Sequence, residues 1–231
     1  MRTRVFVLAL IFVLSCAVGA KTEASERNDF SNTKFKSAET ATITVNRVSD
    51  IDPAKAFGSK DATVVIEVFS DFQCPMCKEL YETALRRLVD SYVTGASPCK
   101  VYLVHRDFTW PYHAHARIAA SYSRAAAHIG KCQEVEAALF ANQQRWESNG
   151  DVRSVVAGVL SAAEMKKVDR LVESKVLEPL IERDRQLGLE LPVRGTPTLV
   201  FHTRDGKTYP VMGIANYDVL KNFLDQLLNQ R

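Results

Sequence analysis

Charge of one sign, long apolar runs and cysteine are all scarce in this 231-residue chain. Thirty basic residues stand against 27 acidic ones, a net charge of +3. Setting aside Arg2 and Arg4, which lie in a segment read below as cleavable, leaves 28 against 27. Neither figure offers the basic footprint that a nucleic-acid partner requires. The run VFVLALIFVL has ten apolar residues, too few to span a bilayer stably, and no later segment is both long and apolar enough. There is no internal repeat. What remains, 46% hydrophobic and 25% charged, is ordinary globular material for one medium domain with an insertion or two small ones.

The start sets the compartment. MRTR followed by the apolar run reads as a signal peptide over residues 1–20, and hence as export. Two exits stay open. Val18-Gly19-Ala20 presents small residues for cleavage after Ala20, while VLSC resembles a lipobox that would make Cys16 a lipidated, membrane-anchored N-terminus. Residues 21–50 read as a flexible lead or tether, polar and without period except for the alternating ATITVN. Discarding or lipidating Cys16 leaves Cys74, Cys77, Cys99 and Cys132. An even number of thiols in an oxidising compartment points to disulfides rather than zinc.

Periodicity then organises the chain. FGSKDA predicts a turn into TVVIEVF, a β-branched run suited to a buried strand. Leu80, Tyr81, Ala84, Leu85, Leu88, Val89 and Tyr92 recur at helical spacing. KVYLVHRDF predicts a second strand, parallel to the first. From Tyr112 to about Leu187 the pattern is helical. It includes a capping box at Ser161–Glu164 and a helix kinked or restarted at Pro179. TPTLVFHT and TYPVMG flank an Asp205-Gly206 hairpin turn, with Pro210 suited to a sheet edge. NYDVLKNFLDQLLNQ closes the chain as an amphipathic helix.

SDFQCPMCKEL places Cys74 and Cys77 where a strand hands over to a helix. A thiol reacts as its thiolate, and free cysteine ionises near a pKa of about 8.5. The unpaired N–H groups at a helix N-terminus favour an anion, and Pro75 suits the first turn. Each unit of pKa depression is worth about 1.4 kcal/mol toward the reduced form and makes the disulfide a better oxidant. Cys74 is then the exposed nucleophile and Cys77 the resolving thiol. Zinc would need about four ligands, and His113 and His115 are poorly spaced to complete a set. A purely structural bridge over so short a loop removes little chain entropy. The pair therefore reads as redox-active, with no metal. Thr196-Pro197, just before a strand, is a candidate cis bond that turns backbone groups outward.

VVIEVFSDFQCPMCKEL, VHRDF, ALFANQ and GTPTLVF, in that order, resemble the DsbA-like branch of the thioredoxin superfamily over about residues 50–231. The resemblance implies an α/β thioredoxin fold, a mixed sheet flanked by helices, at 51–108 and 193–231, with an inserted all-helical domain at 109–192. It implies a mixed disulfide at Cys74 that Cys77 resolves. Thr196 and cis-Pro197, together with Pro75 and Met76, would bind an extended client by its main chain. The implied function is a monomeric, exported oxidoreductase without a bound cofactor, periplasmic or otherwise extracytoplasmic. It would donate its disulfide to reduced or unfolded exported proteins and be reoxidised by a quinone-linked membrane partner. A reductase or isomerase using the same pair is the alternative, as is a metal-handling or ligand-binding lipoprotein.

Two departures stand out. Relatives carry an acidic residue six positions before the first cysteine as a proton acceptor, where this chain has Val68, with Glu67 beside it. One residue of shift turns a strand side chain to the other face. Glu67 and Asp71 are the candidates for proton transfer, with water as the fallback. Pro75-Met76 also lacks the histidine of strong oxidases, which predicts a milder oxidant. Cys99 and Cys132 are the candidate structural disulfide. His105, His128 and His202 read as surface or sheet-edge residues, and Arg183, Asp184 and Arg185 as a solvated face.

Overall fold

The computed structural model describes residues 51–95, 99–191 and 193–229. Five strands form one sheet: β1 (Ala56–Gly58), β2 (Val64–Ser70), β3 (Val101–Asp107), β4 (Thr198–Thr203) and β5 (Thr208–Met212). Their order is β1-β3-β2-β4-β5, with β2 and β3 parallel and every other neighbouring pair antiparallel. β1 is a departure from expectation: it lies in part of the segment read as a turn. Three residues with no buried side chain among them give no period to read. The ATITVN segment lies outside the described residues.

Register decides what each face carries. Ile66 is partnered by Leu103 on one side and Phe201 on the other, and Val68 by His105 and Leu199, so these residues share a face. That face joins the main core, which includes Cys74, Cys77 and Trp146. Phe69 and Val200 belong instead to a smaller cluster with Phe108, Leu191 and Val193. Val65, Glu67 and Phe69 therefore point away from the main core.

After β2 the chain enters α1 (Pro75–Leu80), π-helical turns at Tyr81–Leu85, α2 (Arg86–Leu88) and further π-helical turns at Val89–Thr94. The apolar stripe of this segment is buried as its spacing predicts, with Leu80, Ala84, Leu85 and Leu88 in the core. Between β3 and β4 come α3 (Ala116–Ala127), α4 (Cys132–Ala141), α5 (Gln143–Trp146), α6 (Val152–Ala157), α7 (Ala162–Ser174) and α8 (Glu178–Glu190). α9 (Tyr217–Asn229) follows the hairpin and buries Leu220, Phe223, Leu224 and Leu227. Ser161 and Glu164 form the reciprocal capping box of α7, and Pro179 lies in the first turn of α8. Gly188 is required by close approach: a Cβ there would stand 2.4 Å from the Phe108 ring.

Buried charge crosses this architecture. Arg106 Nε and Nη2 donate to Glu67 at 2.8 and 2.6 Å, and its Nη1 donates to Asp184 at 2.9 Å. Arg124 pairs with Asp52, Asp107 and Asp184. Lys55 Nζ donates to Glu136 at 2.8 Å, and His105 Nδ1 lies 2.9 Å from the same carboxylate. His105 is therefore buried rather than superficial, stacked on Phe72. Asp184 is likewise buried rather than solvated. His202 is partly covered and contacts Glu67 at 2.9 Å, and His128 contacts Asp52 at 3.3 Å.

Candidate redox site

Cys74 caps α1 in an extended conformation and Pro75 opens the first turn, which leaves the Met76 and Cys77 N–H groups on the sulfur's side of the helix start. Cys74 is less open than expected, at 7% exposure, against 2% for Cys77. Its sulfur lies 3.4 Å from the Thr196 carbonyl. The Thr196-Pro197 bond is cis. Cys77 sits one turn deeper and accepts from the Asp71 backbone N–H at 3.4 Å. Met76 beside the pair, Tyr112 and Met212, the β5 partner of Thr198, are exposed at 44%, 71% and 63%.

The two thiols are driven in opposite directions. A hydrogen bond from Cys77 does most to bring Cys74 down from 9.0 to about 6. Burial opposes it, and Thr196 and the Cys77 and Met76 amides assist. Burial pushes Cys77 well up, reinforced by its hydrogen bond to Cys74. The helix amides act as anticipated, but the partner thiol acts more strongly.

Neither proton-transfer candidate occupies the expected place beneath the pair. Glu67 faces the other side of the sheet and is engaged by Arg106 and His202. Burial raises it, but the His202 hydrogen bond and the Arg106 charge hold it below the ordinary carboxylate value. Asp71 lies at the redox turn. Its Oδ1 accepts from Gln73 N–H at 2.8 Å, and its Oδ2 accepts from Trp110 N–H at 2.9 Å and meets His113 Nδ1 at 2.9 Å. Burial leaves its pKa raised despite these donors.

Two glutamines that spacing did not single out as anchors also grip the turn. Gln143 Nε2 donates to the carbonyls of Phe72 and Cys74 at 2.7 and 3.0 Å. Gln73 accepts from His115 N–H at 2.7 Å and donates to the Glu147 carbonyl at 3.0 Å. An exposed-looking amide carries no periodic signal, and its partners lie about 70 residues away in sequence.

Cys99 and Cys132 are not joined in this structure. Both are free thiols in different surroundings. Cys99 lies 3.0 Å from the Val101 carbonyl, and Cys132 lies 3.3 Å from Glu136. Burial pushes Cys132 well above the ordinary value. Cys16 lies outside the described residues. Among the described residues, no three or more His, Cys, Asp or Glu side chains gather as a metal site.

The model of a family described as thioredoxin matches residues 52–222. The chain belongs to the thioredoxin family. Among solved structures, it is similar to a thioredoxin-like oxidoreductase from Silicibacter pomeroyi DSS-3, at 22% identity and a TM-score of 0.62, covering 81% of this chain and 99% of that one. BdbD from Bacillus subtilis in its oxidised form matches at 18% identity and 0.61, covering 76% and 93%. DsbA2 from Pseudomonas aeruginosa matches at 24% identity and 0.59, covering 75% and 93%. No curated protein sequence matches. Within the thioredoxin family, this chain shares the DsbA-like fold, with helices inserted between two strands of the central sheet.

Proposed function

We propose that this protein is an exported, DsbA-like thiol:disulfide oxidoreductase that donates a Cys74–Cys77 disulfide to reduced proteins. The observation that carries the reading is the asymmetry of the pair: Cys74 is lowered to about 6 at the start of α1, while Cys77 is held protonated beneath it. A client thiolate attacks Cys74 Sγ, forming a client–Cys74 disulfide as the Cys74–Cys77 bond breaks. Cys77 leaves as a thiolate and, with its raised pKa, takes up a proton. A second client thiolate attacks the client sulfur and releases Cys74 as a thiolate. The client loses two electrons and the pair gains them. A stabilised Cys74 thiolate makes this direction downhill relative to an ordinary dithiol.

Residues 51–108 and 193–231 form the thioredoxin-like part in this reading, and 109–192 the helical insertion that grips the redox turn. Thr196 and cis-Pro197 offer main-chain groups to an extended client, with Pro75 and Met76 at its edge. The signal-like start supports action outside the cytoplasm. Among the described residues, no helix is long and apolar enough to cross a membrane. Reoxidation is assigned to a quinone-linked membrane partner, by likeness to DsbA-like oxidoreductases. Equilibration against glutathione buffers tests the direction of flow, with Cys74→Ser as control. The expected potential is more oxidising than that of cytosolic dithiol reductants, and a value at theirs would replace donation by reduction. Metal bound stoichiometrically to a reduced protein that exchanges no disulfides would favour a binding role instead.

A further inference from the structure

One set of contacts leaves Cys74 and returns to the same sulfur. The Cys74 N–H donates to the Asp71 carbonyl at 3.1 Å. Asp71 Oδ2 accepts from Trp110 N–H at 2.9 Å. The Trp110 indole Nε1 donates to Thr196 Oγ1 at 3.0 Å. Thr196 closes the circuit, with its carbonyl 3.4 Å from Cys74 Sγ. Three separate loops are thereby fixed to one another: the redox turn, the segment after β3 and the cis-proline loop. An hydroxyl that accepts from an indole keeps its own hydrogen free for another acceptor. Thr196 is among the groups that favour the Cys74 thiolate.

His113 stands on the outside of this circuit. Its side chain is 19% exposed, whereas the Asp71 carboxylate it meets is fully covered. With the carboxylate ionised, Nδ1 carries the hydrogen between them. The titratable groups facing this cluster are Cys74, Cys77 and Tyr112, whose ring meets the His113 ring edge-on at 4.7 Å.

We propose that His113 is a positioning residue for thiol–disulfide exchange: it holds Asp71 on the Trp110 backbone, and the Trp110 indole in turn orients the Thr196 hydroxyl, whose own hydrogen is left to stabilise the Cys74 thiolate. The inference rests on the exchange reading above and extends it to a residue that acts through three intermediates, Asp71, Trp110 and Thr196.

The test uses the full chain with His113→Leu, His113→Asn, Trp110→Phe and the His113→Leu/Trp110→Phe double variant. Two quantities are read, the titration of the Cys74 thiolate by its ultraviolet absorbance and the rate of oxidation of a dithiol peptide. His113→Leu should move the Cys74 titration to higher pH and slow exchange about fivefold, roughly the factor one net hydrogen bond is worth. His113→Asn, whose amide hydrogen replaces that on Nδ1, should restore both. Trp110→Phe removes the indole donor while keeping an aromatic ring against Phe108 and Tyr112, and should reproduce the change. The double variant should be no worse than the worse single, since both act through one path. A His113→Leu protein with the titration and rate of the wild type, or additive losses in the double variant, would overturn the proposal and leave exchange standing. If the wild type exchanges no disulfides, the thiol titration still decides the role of His113, and the exchange reading alone falls. Should His113→Leu not fold, His113→Ala read against His113→Asn decides: equal titrations in the two overturn the proposal.

Discussion

Glu67 and Asp71 stand four residues apart and are buried almost equally, at 2% and 1% exposure. Yet Glu67 is a stronger acid than usual and Asp71 a weaker one. Desolvation penalises both charges, so the difference lies in the partners. Glu67 is hydrogen-bonded by His202 and, unlike Asp71, also meets a guanidinium fixed between two carboxylates, part of a paired network that ties the sheet to α3 and α8. Asp71 receives two backbone N–H donors and an imidazole. The same division holds for the sulfurs: thiol, amide and threonine groups lead the influences that lower Cys74, with no Lys or Arg among them. Fixed charge ties the framework together, whereas hydrogen bonds grip the turn that carries Cys74.

The largest expected effect would break the framework side. Arg124→Met strips the cation from Asp52, Asp107 and Asp184 and should cost about 3–5 kcal/mol, the usual penalty for stranding buried charge. Urea unfolding at pH 7 measures it, and a loss no larger than that of an exposed ion pair would mean the network adds little.

Glu67→Gln and Asp71→Asn sharpen the contrast directly. At pH 7 the first should cost about 2 kcal/mol, by loss of charge-assisted bonds, and the second about 1 kcal/mol, by loss of the Trp110 acceptor. Their pH dependences have opposite sign. The folded pKa of Glu67 is lowered, so its contribution is present above the ordinary carboxylate pKa and fades as pH falls through the lowered value. That of Asp71 is raised, so its contribution is complete below the ordinary value and fades as pH rises through the raised one. The gap between the two variants should therefore narrow between pH 7 and pH 4. A gap that widens on acidification contradicts the assignment.

A smaller effect belongs to Cys74 in the reduced protein. Its folded pKa of about 6 lies below 9.0, so the ionised thiol contributes stability above pH 9 that is lost as pH falls through about 6. Reduced wild type should gain on reduced Cys74→Ala across that window, and the gain should vanish after oxidation. Least of all, Tyr112→Ser should change stability by no more than about 0.5 kcal/mol, because the ring is 71% exposed. If that ring receives clients, the variant should slow oxidation of a protein more than of a small dithiol. Equal slowing of both places Tyr112 outside the client surface.

Much of this molecule is legible in its sequence. β-branched runs marked β2, β3 and β4, an apolar stripe marked the helix after Cys77, and Ser161 with Glu164 marked the start of α7. β1 was lost because three residues carry no period, and the π-helical turns because a shift of one residue leaves an apolar stripe almost unchanged. His105 and Asp184 were misplaced for another reason. A polar residue in an ordinary pattern reads as solvated, and only partners distant in the chain, such as Glu136, Arg106 and Arg124, make its burial affordable. Cys99 and Cys132 show the converse, since a sequence that counts thiols cannot measure the space between them.

By itself the sequence determined the spacing of Cys74 and Cys77, their seat at a strand-to-helix junction and the prolyl bond before β4, because spacing along the backbone fixes local geometry. Only tertiary structure decided which carboxylate is paired with a cation, which histidine meets Asp71 and how far Cys74 is exposed. Those outcomes depend on groups at positions 106, 110, 113, 196 and 202 arriving within a few ångströms of β2 and its following turn. Coulombic energy, desolvation and hydrogen bonding act through distance in space, which linear order does not record.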